Sequence, residues 1–355
     1  MIISRTPFRV SFFGGGTDYP AWYRKHGGAV LASTIDKYCY ITCRYLPPFF
    51  EHKIRIVYSK IENCQTVDEI VHPAAREVIR FTGIDRGLEI HHDGDLPARS
   101  GMGSSSSFIV GLLNALYALK GRMPNKHQLA IESIHIEQDI LKETVGSQDQ
   151  VSAAHGGLNH ITFSPNGEIS VRPITIPPER IRELNSHLML FYTGIKRTAS
   201  HIAGSYVGDI NCKKRQLRLT KDLIDESISI LADRHDMTGF GELLHESWEA
   251  KRTLSSVVSN PRIDDIYKEA LSAGATGGKI TGAGGGGFML LFAPPGAHKR
   301  IRERLGKLIY VPFKFEFSGS QIIFFGPQQE NYAELEKEMA KQPNRVFKEL
   351  TDEQA

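Results

Sequence analysis

Apolar positions in the first part of the chain come in short β-branched and aromatic runs. "AVLASTIDKYCYITCRYL" (29 to 46) and "HKIRIVYS" (52 to 59) predict strands, since such side chains suit a pleated, half-buried surface. The period then lengthens. In "SSSFIVGLLNALYALKG" (105 to 121), Phe108, Leu112, Ala115, Leu116 and Leu119 recur at helical spacing, and Gly121 marks the stop. "NKHQLAIESIHIEQDILKET" (125 to 144) sets Leu129, Ile136 and Ile140 among polar residues and predicts a second helix. Strand-like sequence returns in "GGLNHITFSPNGEISVRPITI" (156 to 176), where Asn166-Gly167 between two alternating runs predicts a hairpin. "PPERIREL" (177 to 184) reads as a linker. Beyond it come a strand, "HLMLFYTG" (187 to 194), polar helical sequence from about 209 to 273, and an apolar strand, "FMLLFAPP" (288 to 295). With no regular strand-helix-strand alternation, the pattern predicts an α+β protein of two domains, 1–178 and 186–345.

Three glycine-rich breaks interrupt this pattern. The first, "SFFGGGTDYP" (11 to 20), leaves an apolar strand, drops side chains for three positions and then presents Thr17 and Asp18. Glycine allows a ligand to approach the main chain closely, although a tight turn after a strand would account for this loop alone. The second, "DLPARSGMGSSSSF" (95 to 108), runs through Gly101 and Gly103 into serines that open the apolar helix. Backbone N–H groups and hydroxyls converging on a helix N-terminus make a site for phosphate, whereas a plain cap at Ser104 would need one serine and no preceding "GMG". The third, "KITGAGGGGFML" (279 to 290), satisfies GxGxxG with Gly282, Gly284 and Gly287, but it leads into a strand where a dinucleotide fingerprint must enter a helix. A glycine-rich hairpin loop is its plainer reading.

Composition narrows the class. The chain has 355 residues, 41% hydrophobic and 23% charged, with 43 basic and 40 acidic side chains and a formal charge of +3. So small an imbalance argues against a nucleic-acid or anionic-membrane partner, and "KKRQLR" (213 to 218) reads as the solvated face of a helix. Cys39, Cys43, Cys64 and Cys212 fall in no CxxC or zinc-like spacing. No apolar run reaches membrane length, and the N-terminus "MIISRTPFRV" has none of signal length, so a cytoplasmic protein is expected.

Taken in order, "TPFRVSFFGGGTDYP", "LPARSGMGSSSS" and "KITGAGGGGF" resemble the three signature motifs of the GHMP kinases, which include galactokinase, homoserine kinase, mevalonate kinase and phosphomevalonate kinase. The resemblance runs from about residue 5 to about residue 290. It implies an N-terminal domain like ribosomal protein S5 domain 2, with a left-handed βαβ crossover against the usual rule, and a ferredoxin-like C-terminal domain. It also implies ATP along Gly101, Met102, Gly103, Ser104, Ser105 and Ser106, and Mg2+ between Ser105 and Glu137 of "HIEQD". Without the family, Glu137 would read as an exposed helix carboxylate. Asp149 of "VGSQDQ" takes the place of the residue that orients or deprotonates the acceptor hydroxyl, and Arg9 of "PFRV" pairs with it. Gly15, Gly16, Thr17, Asp18, Gly284 and Gly285 fall on the substrate side, with Asp18 directed at sugar hydroxyls.

One departure from the galactokinase motif points to the acceptor. That motif carries a glutamate and a histidine where this chain has Gly15 and Gly16, and the lost side chains imply room beyond C6 of a hexose. "GGGTD" followed by "GGAVLASTIDKY" (27 to 38) resembles kinases that phosphorylate the anomeric hydroxyl of D-glycero-D-manno-heptose 7-phosphate, giving the 1,7-bisphosphate. A terminal phosphate needs cations, for which Lys37, Arg99, Lys196 and Arg197 are the candidates. A fucokinase-like hexose 1-kinase, a catalytically silent ligand sensor of the same fold, and a dinucleotide oxidoreductase resting on GAGGGG are the alternatives.

Overall fold

The computed structural model describes residues 1–195, 199–208, 210–233, 236–327, 332–339, 341 and 347. The first half runs β1 (Ile2–Phe13), α1 (Pro20–His26), β2 (Gly28–Tyr45), β3 (Ile54–Val57), β4 (Ile61–Cys64), α2 (Pro73–Thr82), β5 (Leu88–Gly94), α3 (Ser104–Leu119), α4 (Lys126–His135), α5 (Gln148–His155), β6 (Leu158–Phe163) and β7 (Ile169–Pro173). It continues with α6 (Pro178–His187), β8 (Leu188–Tyr192), α7 (Ala199–Val207), α8 (Lys214–Ala232), α9 (Thr238–Arg252), α10 (Pro261–Ser272), β9 (Gly277–Ile280) and β10 (Phe288–Phe292). The chain closes with α11 (His298–Arg304), β11 (Ile309–Tyr310), β12 (Phe315–Glu316), β13 (Gln321–Phe325) and α12 (Tyr332–Met339).

Two sheets organise these elements. A nine-stranded sheet has the path β13-β1-β2-β5-β3-β4, with β6 and β12 branching from β2 and β7 paired to β6. The long β2 serves three neighbours on one edge, β6 along Gly28–Ser33, β12 at Thr34 and Ile35, and β5 along Cys39–Tyr45. The second sheet, β11-β8-β10-β9, is antiparallel throughout. Although β12 and β13 come after the second sheet in sequence, they hydrogen-bond back to β2 and β1 of the first.

β1 alternates buried and half-buried residues up to Arg5 and is buried at every position from Thr6 to Phe13. The change reflects the elements that cover it: α3 packs on it, and α8 and α9 of the second half also reach it. α3 itself is apolar nearly all round and buried from Ser106 to Ala118, as a central helix must be. Gly121, with φ +70, lies just beyond its end, and Gly167, with φ +93, turns the β6–β7 hairpin, both as the sequence predicts.

Two expectations change. The segment 177–184 is not a linker: Pro178 opens α6, where a missing N–H costs nothing, and Leu184 is buried beneath it. The single helix expected over 125–144 stops at His135 and gives way to a π-helical turn, Ile136–Ile140, closed by the Leu141 amide on the Ile136 carbonyl at 2.9 Å. One extra residue in the turn rotates the residues beyond it by about 100°. Ile140 therefore leaves the buried face and is 36% exposed.

Where β1 meets the second half, its ladder with β2 slips: Ser11 faces Ala32 and Phe13 faces Leu31, so Phe12 is an extra, bulged residue. The carbonyl of Phe12 accepts a hydrogen bond of 2.6 Å from Lys279 Nζ on β9. The rings of Phe12 and Phe13 pack edge-on against Phe240 of α9, at 5.5 and 5.2 Å between centroids. The joint is thus one amine bond set in an aromatic cluster. Lys279 is 3% exposed; burial, with Arg9 nearby, pulls its pKa down to about 7 from 10.5, against an opposing pull from Asp18.

That shift makes stability depend on pH. Between about pH 7 and pH 10.5 the unfolded chain holds the Lys279 proton and the folded chain does not, so this residue makes stability rise with pH. The slope it adds approaches about 1.4 kcal/mol per pH unit. Urea unfolding of the wild type and Lys279→Met across that range should give curves whose difference grows with pH, and a constant difference would show that Lys279 folds charged.

Candidate functional site

β1 delivers Arg9, 3% exposed, to the start of α3 and α5. Its Nε and Nη2 donate to Asp149 Oδ1 and Oδ2, each at 2.7 Å, a two-pronged pair of the strongest kind for this side chain. Nη1 donates to the Gly101 carbonyl at 2.7 Å, and the Arg9 amide to that of Met102 at 3.1 Å. Asp149 lies in the first turn of α5 and keeps 24% side-chain exposure, so its carboxylate is fixed by arginine yet open to the cleft.

Gly103, with φ +77, caps α3, and no side chain bonds to the cap, so Ser104 is the first helical residue and not the N-cap. The amides of the first turn and the positive end of the helix dipole thus open beside Arg9 and Asp149. A side chain at Gly103 would come within 3.4 Å of both Arg9 Cγ and Asp149 Oδ2. Met102 is buried and contributes its backbone.

The serines divide their work. Ser107 Oγ donates to the Pro7 carbonyl at 2.9 Å and ties the helix to β1. Ser105 and Ser106 donate to Glu137 Oε1 and Oε2 at 2.8 and 2.7 Å, and Gln150 Nε2 also donates to Oε2. Glu137 stands on the π-helical turn and is completely buried, contrary to an exposed helix carboxylate. Its partners are all neutral. Burial, with a smaller contribution from Asp149, pushes its pKa up to about 7, while the three hydrogen bonds pull the other way.

The first loop turns back on β2 at Gly14, where φ is +79 and a Cβ would sit 2.0 Å from the Ala29 carbonyl oxygen. Thr17 has no exposed surface: its hydroxyl donates to the Gly14 and Ala29 carbonyls at 2.8 Å and accepts the Ala29 amide at 3.0 Å. Thr17 is therefore a loop staple and not a substrate contact. Asp18, 1% exposed, accepts the amides of Gly16 and Gln148 at 2.9 and 3.4 Å, so its carboxylate ties this loop to α5. Burial, and secondarily Asp149, raises its pKa.

The room expected at Gly15 and Gly16 exists at Gly15 alone. A Cβ there would have Gln148 Nε2 at 3.8 Å and Ser11 Oγ at 3.9 Å as its nearest neighbours, whereas at Gly16, with φ +103, it would meet Leu217 Cδ2 at 2.8 Å. The side chain of α8 fills that space. In the third loop, a Cβ at Gly284 or Gly285 would strike Val258 or Ile202, and the Gly285 amide donates to the Val258 carbonyl at 2.7 Å, so these two glycines serve loop packing. The loop joins antiparallel β9 to β10, which removes any dinucleotide fingerprint. Its last glycine, Gly287, lets the chain pass so close to Ser100 that the Phe288 amide bonds the Ser100 carbonyl at 3.2 Å. All three loops are thereby joined to one another.

Of the cations, Lys37 is engaged with Asp36 at 3.0 Å, and Arg99 is exposed without a hydrogen-bond or ion-pair partner among the described residues. Lys196 and Arg197 lie outside the described residues. Cavities of about 310 Å³ (between Phe50, Arg86 and Tyr332) and about 370 Å³ (between His160 and Lys221) lie elsewhere and gather none of these groups. Sequence reasoning passed over Gln150 and Lys279. The signal for Lys279 was a lone charge in a run otherwise fit for burial, "KITGAGGGGF", which demands a partner.

The chain resembles known proteins along most of its length. The family profile of the GHMP kinases N terminal domain matches residues 69–157, and that of GHMP kinases C terminal matches 228–310. A D-glycero-alpha-D-manno-heptose 7-phosphate kinase of Campylobacter jejuni is 29% identical over 86% of this chain and 93% of its own. A bifunctional fucokinase/GDP-fucose pyrophosphorylase of Arabidopsis thaliana is 24% identical over 84% of this chain but only 30% of its own. Among solved structures, a D-glycero-D-manno-heptose 1-phosphate kinase of Bacteroides thetaiotaomicron superposes with a TM-score of 0.76 at 23% identity, covering 92% of this chain and 100% of the other. A sugar kinase structure from Campylobacter jejuni, at 27% identity, gives 0.68 over 91% and 98%. No helix among the described residues is long and apolar enough to cross a membrane. The chain belongs to the GHMP kinases and carries both their N-terminal and C-terminal domains.

Proposed function

We propose that this GHMP kinase is a sugar kinase that transfers the γ-phosphoryl group of ATP to the anomeric hydroxyl of D-glycero-D-manno-heptose 7-phosphate. The observation that carries the reading is the Arg9–Asp149 pair, 2.7 Å on both prongs, at the open N-terminus of α3. Phosphoryl transfer asks for positioning and charge neutralisation more than covalent chemistry, and these groups supply both. Phosphates lie against the first-turn amides of α3, along Gly101 to Ser106. Each Asp149 oxygen spends one lone pair on Arg9 and keeps another for the acceptor hydroxyl, which it orients and whose proton it accepts. Arg9, immobilised by Gly101 and Asp149, faces the charge that develops on the transferring group.

The donor set suits Mg2+. Glu137 is a buried carboxylate without a cationic partner among the described residues, adjacent to the exposed Ser105 hydroxyl, and Mg2+ takes oxygen ligands from one or two protein groups while keeping waters and phosphates. Ser105 and Glu137 would hold it; bound there, the ion neutralises phosphate charge. The heptose assignment rests on the 29% identical relative and on the space at Gly15. The fucokinase-containing relative supports a hexose 1-kinase as the second reading. We divide the chain at 1–178 and 186–345, with β12 and β13 returned to the first unit.

Asp149→Asn should keep ATP affinity and lose kcat by roughly 10²- to 10⁴-fold, because the proton acceptor goes while the geometry stays; steady-state kinetics at wild-type rate would reject the base. Ser105→Ala and Glu137→Gln should each raise the Mg2+ concentration for half-maximal activity severalfold, and unchanged titrations in both would move the metal elsewhere. Gly15→Glu should fold, bind ATP and lose roughly 100-fold in kcat/KM for the heptose phosphate, because its bulk and its unpaired charge occupy the acceptor space. Retention of that activity would dissociate Gly15 from the acceptor.

A further inference from the structure

Two buried polar side chains in the cleft have no work in the folded chain itself. Ser11 is 5% exposed and Gln148 9% exposed, yet Ser11 Oγ and Gln148 Oε1 have no hydrogen-bond partner among the described residues. Both border the same small space: a Cβ at Gly15 would stand 3.9 Å from Ser11 Oγ and 3.8 Å from Gln148 Nε2, with nothing nearer. Their placement derives from the catalytic pair. Ser11 lies two residues beyond Arg9, before the bulge at Phe12, so strand alternation sets both on one face of β1. Gln148 directly precedes Asp149 in the first turn of α5, and its amide is held by Asp18 Oδ2 at 3.4 Å. The cleft therefore carries a second cross-element pair, Ser11 with Gln148, one step along from Arg9 with Asp149.

We propose that Ser11 and Gln148 are specificity-determining residues that bind hydroxyl groups of the acceptor in the space beside Gly15, so that the enzyme selects a polyhydroxylated ring. The inference rests on the sugar-kinase reading. A serine hydroxyl and a carboxamide each donate and accept, which matches a hydroxyl pair on adjacent carbons. Neither brings positive charge, so a terminal phosphate of the acceptor binds elsewhere. A site built to hydrogen-bond a hydroxyl rejects an acceptor that lacks it, because its own buried groups then stay unpaired.

The test compares wild type, Ser11→Ala, Gln148→Leu and the double variant on D-glycero-D-manno-heptose 7-phosphate and its C2, C3 and C4 monodeoxy analogues, with ATP affinity and thermal unfolding as controls for folding. Wild type should lose about tenfold or more in kcat/KM on at least one deoxy acceptor. Each variant should lose a similar factor on the full acceptor and discriminate less against that analogue, a pattern that a merely structural role would not produce. Variants that match wild type, or that fall equally on every acceptor, overturn the proposal while leaving the kinase reading intact. A wild-type enzyme that phosphorylates no sugar overturns the kinase reading and the proposal with it.

Discussion

One guanidinium organises this active site. Arg9 is buried on β1, and each nitrogen of its guanidinium donates once, two bonds going to Asp149 and one to the carbonyl of Gly101, while its own amide bonds Met102. A buried arginine is tolerable only when paired and hydrogen-bonded, so its position dictates where α5 must begin and how the loop into α3 must run. The glycines of that loop are a consequence, since the chain passes the pair with φ of +81 at Gly101 and +77 at Gly103. The first motif is thereby bound to the second. The other two links, Lys279 to Phe12 and Phe288 to Ser100, close the triangle with the third motif.

The same closure concentrates ionisable groups in a small dry volume. Asp18, Glu137 and Lys279 are all buried, and each is pushed toward its neutral form chiefly by that burial. Such a site is costly to the protein alone and favourable for bound charge: phosphates and a cation can supply what the carboxylates and the helix terminus lack. The π-helical turn that carries Glu137 belongs to the same arrangement, since it sets the carboxylate against Ser105 and Ser106 and leaves Ile140 toward the surface.

Much of this was legible in the sequence, and the rest for definable reasons was not. Period and turn residues located α3 and the β6–β7 hairpin, since those depend on local pattern and on glycine at positive φ. The Arg9–Asp149 contact, 140 residues apart, was reached only through the family motifs, for spacing alone carries no long-range geometry. The π-turn escaped because an inserted residue leaves no mark in apolar periodicity, and α6 because prolines at a helix start look like those of a linker. The roles of Thr17 and Asp18 differed because a residue's type does not reveal whether a ligand or the protein's own backbone takes its hydrogen bonds. Leu217 filled the space at Gly16 from a helix some two hundred residues away, beyond any local reading.

The central claim is that these three joined loops pass a phosphoryl group from ATP to the anomeric oxygen of a heptose phosphate. Phosphorus NMR of the purified protein with ATP, Mg2+ and D-glycero-D-manno-heptose 7-phosphate tests it most directly. The account predicts ADP and, in equal amount, a new phosphate resonance coupled to the anomeric proton, formed faster than with mannose, galactose or fucose. No ADP-linked phosphorylation of the heptose, a phosphate on another carbon, or a tenfold preference for an unphosphorylated hexose or fucose would contradict it.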